Sequence, residues 1–425
     1  MSIVKIFINA HLIDGKSNHS IPNALIVVEE DKIKYVGDYD ETIIQNEGNA
    51  DTYDLEGMTL MPGMIDTHVH LCMGGEASTF SSMVLDTPAY AAIKGAERAK
   101  QALEVGFTTL RTMGEKGHID IAIKRAIEEG IIVGPRIVAS GKALTITGGH
   151  GDMFPPEVKI DGIGVVVDGA DEVRRAAREQ LKLGADHIKM MATGGGMSPG
   201  PGTVSQLTIQ EMEVAVEEAQ KFGKITGAHA IGTEGIKNAL KAGVRTIEHG
   251  TFLDEEGIQL LLEKNAYLVP TLAAFKTLKY GRDGGVPEHH LKKVEYYQTA
   301  HEANLKRAIL AGVKIVTGTD AGTPFNHHGE NAYELECLVK NGLSEMDAIK
   351  SATQLAAEAL QLSEIGAIEC GKIADMIVVA GNPLTNITLL QEKEKIKFVF
   401  KGGQLVHQNN VLAEELERKS PTYVS

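Results

Sequence analysis

Between about residues 61 and 362, eight short apolar runs alternate with longer stretches of helical periodicity, and this alternation constrains the fold more than any other feature of the chain. The runs are 64–71, 108–113, 136–140, 187–192, 225–230, 246–249, 267–271 and 315–320. Among the helical stretches, Val173, Ala176, Ala177 and Leu181 share one face. So do Met212, Ala215, Val216 and Ala219, and so do Ile258, Leu261 and Leu262. Gly106, Gly184, Gly243 and Gly312 precede strand runs, where glycine closes a helix. Eight strand-helix units of this size predict an α/β fold, a (β/α)8 TIM barrel. A doubly wound open sheet is the competing architecture.

Both ends of the chain have a different texture. Residues 6–13, 24–29 and 32–36 read as short strands rich in β-branched and aromatic residues, and 374–379, 396–400 and 404–406 read the same way. Neither end is long enough to bury a core alone, so the two are expected to pair. The expected division is a composite β-sandwich domain from 1–61 and 363–425 around a barrel at 62–362.

A formal net charge of −15 without a basic block argues against nucleic acid or an anionic membrane as partner. Cys72, Cys337 and Cys370 are too scattered for a disulfide framework or a zinc ribbon. The first residues lack the apolar core of a signal peptide, and no apolar run approaches the ~20 residues of a spanning helix. The expectation is a cytoplasmic globular protein.

In a barrel of this kind, chemistry sits at the C-terminal ends of the strands. The first run ends in Asp66-Thr67-His68-Val69-His70. Two histidines two apart on a strand face the same side and can reach one metal, although solvated or core histidines look the same in sequence. The fourth contains Lys189 between apolar neighbours and is followed by Gly194-Gly195-Gly196. A lysine there must be neutral, paired with a carboxylate, or modified. The fifth ends at His229, the sixth at His249 and the eighth at Asp320. Each alone has a structural explanation. All six are acceptable metal ligands, and chance placement of the ordered set is improbable under any single-residue explanation.

The set resembles the two-metal, carboxylated-lysine form of the amidohydrolase superfamily. The phrase Met61-Pro62-Gly63-Met64-Ile65-Asp66-Thr67-His68-Val69-His70 is similar to that family's first strand, and Gly366-Ala367-Ile368-Glu369-Cys370-Gly371-Lys372-Ile373-Ala374-Asp375-Met376-Ile377-Val378 to its return into the β domain. The segments 140–152, with Thr147-Gly148-Gly149-His150-Gly151, 187–196 and 318–324 resemble the imidazolonepropionase-like branch that includes Xaa-Pro, prolidase-like dipeptidases. The resemblance implies one metal on His68, His70 and Asp320, a second on His229 and His249, and Lys189, carboxylated by carbon dioxide, between them. It implies two divalent ions, zinc or else manganese, cobalt or iron, whose bridging hydroxide attacks an amide carbonyl. Asp320 is then the proton carrier and His150 a group for the substrate carbonyl or oxyanion. Members of the family are often homo-oligomers.

The substrate expected is a small-molecule amide, a dipeptide or an N-acyl amino acid. His328 is a further candidate contact, and the loop 194–202 a rim. Residues 272–298 read as a long lid loop whose Lys276, Lys279 and Arg282 are candidates for a substrate carboxylate. Ile231 offers no hydrogen bond where several dipeptidase-like relatives have one, which keeps cyclic amides, aryl amides, ureas and carbamates open. A one-metal deaminase is disfavoured by Gly232, where a glutamate is expected, and by Lys189. A metal-free binding protein is disfavoured by the intact donor set.

Overall fold

The computed structural model describes residues 4–409 except Asn49, Thr79, Met153 and 197–199. The last part of the expected composite β domain, 410–425, and the Met197-Ser198-Pro199 stretch of the expected rim therefore lie outside the described residues.

All eight expected barrel strands are present and parallel. The first three are Met64–Val69, Phe107–Thr112 and Arg136–Val138. The next five are His187–Met191, Ile225–Ala230, Thr246–His249, Tyr267–Val269 and Lys314–Ile315. Backbone hydrogen bonds join the two groups on both sides. Asp186 N donates to Ala139 O at 2.7 Å, between the third and fourth strands. Thr67 N donates to Thr317 O, Asp320 N to His68 O and His70 N to Ala321 O, between the eighth and the first. The ring closes, so the architecture is the barrel and not the open sheet. Two three-residue strands, Ala143–Thr145 and Gly164–Val166, extend the sheet beside the fourth strand. They are too short to leave a sequence pattern.

Local chemistry sets the helix ends. The helix Ile209–Gln220 starts with a capping box: Thr208 accepts from Glu211 N and Glu211 reaches back to Thr208 N. The helix Ala170–Leu183 ends on Gly184 at φ 112, a conformation a side chain would strain. Gly106, Gly243 and Gly312 also have positive φ, as the sequence predicts. Val173, Ala176 and Ala177 are buried against the barrel, as are Met212, Ala215, Val216 and Ala219. Leu262 differs from expectation: it faces solvent while Ile258 and Leu261 are buried.

The two chain ends build one eight-stranded sheet. Thr59–Pro62 lies between Val4–Leu12, from the N-terminal end, and Met376–Val379, from the C-terminal end. Ile396–Lys401 pairs with Met376–Val379 on the far side. Phe7 and Phe400 are therefore three strands apart, about 14 Å in a flat sheet. Their rings stand 5.0 Å apart, edge to face, so the sheet folds over on itself into a sandwich.

The segment after the seventh strand is not a loop. It forms a short turn of helix, Leu272–Phe275, then Lys276–Tyr280 and the long helix Glu288–Leu310. Leu291, Tyr297, His301, Leu305 and Ala308 are its buried face.

Candidate active site

A cavity of about 160 Å³ opens at the C-terminal ends of the barrel strands. His68, His70, Lys189, His229, His249, Asp320 and His150 all line it. The sequence thus predicted seven side chains from six different strands or loops that the fold brings to one place. The nitrogens of His68 and His70 and a carboxylate oxygen of Asp320 lie within 4.8 Å of one another. The rings of His229 and His249 stand 4.5 Å apart, and those of His68 and His249 5.1 Å.

Each imidazole is oriented from behind. His68 Nδ1 meets Glu248 Oε2 at 2.9 Å, and His70 Nδ1 donates to Gly114 O at 3.0 Å. His229 Nε2 donates to Gly194 O at 2.8 Å, and His249 Nδ1 meets Thr271 Oγ1 at 2.7 Å. A carbonyl or a carboxylate can only accept, so the nitrogen behind carries the hydrogen. Thr271 Oγ1 gives its own proton to Pro270 O and so also accepts. Three imidazoles therefore offer bare nitrogens to the centre, Nε2 of His68 and His249 and Nδ1 of His229, and the fourth, His70, turns its Nε2 to Asp320 Oδ1 at 3.3 Å. Beside them stands the Asp320 carboxylate. That is a donor set for divalent cations, with the supporting hydrogen bonds that metal-ligating histidines have.

The electrostatics agree with this. Burial holds His68 and His229 well below the usual histidine range, and His249 at about 3. His70 goes the other way: burial depresses it, but the hydrogen bond to Asp320 lifts it overall. Burial alone would raise the Asp320 carboxyl. The imidazoles of His68 and His70, 3.5 and 3.3 Å from its Oδ1, hold it far below the carboxylate range instead. Lys189 is 1% exposed, and burial brings its ammonium down from 10.5 to about 8. Among the described residues it forms no ion pair, so the carboxylate partner that would make it structural is missing.

His150 stands with its ring 4.2 Å from that of His229. Burial first, then the charge of Lys189, bring it to about 4, so it is neutral. Only glycine fits opposite it, because a Cβ on Gly195 would lie 2.4 Å from its Cε1. Most of the remaining wall is apolar: Met73, Met113, Met191, Ile231, Phe275 and Val294.

Several expected contacts fall elsewhere. His328 does not line the cavity. It is buried behind the first strand, where Nε2 bonds the carbonyls of His70 and Met73 at 3.1 Å, so it braces the His70 backbone. Lys276, Lys279 and Arg282 line a separate hollow on the outer side of the segment. Lys276 pairs there with Glu330 at 2.7 Å. The segment does reach the cavity, but with Ala274, Phe275, Val294 and Tyr297, which line its wall. Three participants were not anticipated: Glu248, Arg111 and Thr271. Arg111 and Glu248 are charged residues inside apolar strands, the same signal that singled out Lys189.

The model of the amidohydrolase family matches residues 59–406. Ochratoxinase from Aspergillus niger is 33% identical over 94% of this chain and 86% of its own. Its crystal structure superposes with a TM-score of 0.85 over 96% of this chain and 97% of that one. A Xaa-Pro dipeptidase solved with methionine in its active site is 35% identical, with a TM-score of 0.86 over 96% of this chain and all of that one. A prolidase in complex with N-methylphosphonate-L-proline is 32% identical, with a TM-score of 0.87 at the same coverage.

Proposed function

The chain belongs to the amidohydrolase family and is a hydrolase of C–N bonds, and on that premise we propose that it uses two divalent metal ions to cleave the amide of a dipeptide or an N-acyl amino acid. One observation carries the two-metal reading: Lys189, buried and, among the described residues, without an ion-pair partner, stands among four histidines and Asp320. His68, His70 and Asp320 would hold one ion, and His229 and His249 the other. A neutral Lys189 Nζ would take up carbon dioxide with loss of a proton, and the resulting carbamate would supply an anionic oxygen donor to the set. Bound metals would polarise the scissile carbonyl and make water a nucleophile at neutral pH.

The chain's own groups do the rest. Asp320 is ionised and takes a proton from the attacking water, then returns it to the departing nitrogen. His150, neutral, donates a hydrogen bond to the carbonyl oxygen as negative charge develops there. Phe275, Val294 and Tyr297 exclude water from above. The methionine and isoleucine wall favours apolar substituents on the substrate. The likeness to ochratoxinase and to the prolidases supports release of an amino acid.

The test is metal content after gentle purification, with zinc, manganese, cobalt and iron measured separately. It is combined with a panel of N-acyl amino acids and dipeptides with apolar side chains. Two ions per chain and amino-acid release that chelators abolish are the expected results. Fewer than about one ion per chain, with chelator-insensitive activity, would sink the metal reading. Ile231 in the cavity wall favours a second reading, a cyclic amide, aryl amide, urea or carbamate, and these belong in the same panel.

A further inference from the structure

Three residues at the ends of consecutive barrel strands have left-handed backbone: His249 at φ 69, Thr271 at φ 53 and Asp320 at φ 59. Two of them are ligands in the reading above. Thr271 is not, and a β-branched residue at positive φ is a genuine outlier that the surrounding structure must enforce.

Two buried side chains enforce it. Glu334, from the helix Tyr333–Lys340, accepts from Leu272 N at 2.9 Å and from Ala273 N at 2.6 Å, one on each oxygen. His301, from the long helix Glu288–Leu310, donates from Nε2 to Pro270 O at 2.8 Å. The peptides on both sides of Thr271 are thus pinned by groups from two different helices. The left-handed turn brings Oγ1 to His249. Its proton goes to Pro270 O at 2.7 Å, and its lone pair receives His249 Nδ1 at 2.7 Å.

We propose that Thr271 is a positioning residue. Glu334 and His301 hold it in a strained turn so that its hydroxyl fixes the tautomer and ring plane of His249 and keeps Nε2 available to the metal. This rests on the reading of His249 as a ligand. The strain has a use: an extended residue at 271 would carry its side chain away from His249. The arrangement also ties the first turn of the lid, Leu272–Phe275, to a ligand of the centre.

Three variants separate the hydroxyl from the strain: Thr271→Val keeps the shape without the hydroxyl, Thr271→Ser keeps the hydroxyl, and Thr271→Gly relieves the turn and removes the hydroxyl. The readouts are calorimetric titration of metal-free protein with Zn2+, the visible spectrum of the Co2+-loaded protein, and the melting temperature of the metal-free protein. Thr271→Val is expected to weaken one Zn2+ binding step by about 10- to 100-fold and to alter the Co2+ spectrum, with Thr271→Ser restoring both to within about threefold. Thr271→Gly is expected to melt no lower than wild type and yet to bind Zn2+ as weakly as Thr271→Val. Were Thr271 only structural, Thr271→Gly would melt lower and Thr271→Val would bind as wild type does; that pair overturns the proposal. Wild-type protein that takes up no Zn2+ overturns the two-metal reading along with it. Tight uptake by wild type and Thr271→Val alike overturns this proposal alone.

Discussion

Glu248 Oε2 accepts from His68 Nδ1 at 2.9 Å, with both side chains buried. The other oxygen, Oε1, meets Arg111 at 2.8 Å and also accepts from Thr246 Oγ1. One carboxylate thus neutralises a fully buried guanidinium and orients the His68 imidazole. Glu248→Ala should cost about 3–5 kcal/mol of stability, because it leaves Arg111 charged and unpaired in the barrel. It should also weaken metal binding by about 10- to 100-fold. The double variant Arg111→Met, Glu248→Leu should recover most of the stability and none of the metal affinity. Chemical denaturation and Zn2+ titration of the three proteins check this. Parallel recovery of both properties would refute the dual role.

The carbamate reading makes Lys189 a chemical sensor of the buffer. The reacting species is the neutral amine, and in the metal-free protein burial sets its pKa at about 8. Near pH 6 only about 1% of Lys189 would be neutral, against about half at pH 8. Reconstitution of metal-free protein should therefore be faster at pH 8 than at pH 6, and faster with added bicarbonate than in carbon dioxide-free buffer. Lys189→Ala should bind fewer ions and lose the bicarbonate effect. A rate independent of bicarbonate at every pH would exclude a carbamate.

Much of this was legible in the sequence because barrels write themselves repetitively. A strand buried on both faces must be apolar, so Ile188, Met190 and Ala192 frame Lys189 visibly. Ligands at strand ends fall at fixed places in that rhythm. What failed was range and pairing. The first half of the helix Glu288–Leu310, up to Gln298, reads as loop because its polar face, with His289, Lys292 and Glu295, dominates the sequence there. Yet Leu291, Val294, Tyr297, His301, Leu305 and Ala308 recur at helical spacing. His328 was misplaced because a histidine in a loop beside ligands looks the same in sequence whether it faces the cavity or the backbone behind it. Thr271 left no signal at all, since positive φ at a β-branched residue is imposed by tertiary contacts from Glu334 and His301.

His150 and Gly195 should behave as one unit in kinetics. Removal of a preorganised donor to a developing oxyanion costs about 10²–10³ in kcat with little change in KM. His150→Ala should show that loss with an almost unchanged melting temperature. Gly195→Ala keeps the imidazole but drives a Cβ into its ring, at 2.4 Å from Cε1 before relaxation. It should reproduce much of the kcat loss while metal content stays at the wild-type level. Wild-type kcat in Gly195→Ala would mean that the ring position does not matter.

Glu334 gives the protein a specific pH dependence of stability. Its carboxyl is buried, which raises its pKa from 4.5 to about 8, although Leu272 N and Ala273 N oppose the shift. A carboxyl raised in the folded state binds its proton more tightly there than in the unfolded chain. Its contribution is complete below pH 4.5 and is lost as pH rises to about 8, at no more than about 1.4 kcal/mol per pH unit. Asp66, at about 6, and Glu115, at about 7, act in the same direction over lower windows. The wild-type curve alone therefore cannot isolate Glu334; the difference from Glu334→Gln can. Metal-free wild type should lose stability relative to Glu334→Gln between pH 6 and 8, and the two should run parallel above about pH 9. Urea unfolding at several pH values measures this. Curves that stay parallel from pH 6 to 8 would show that Glu334 is already ionised at neutral pH, held so by its two backbone donors.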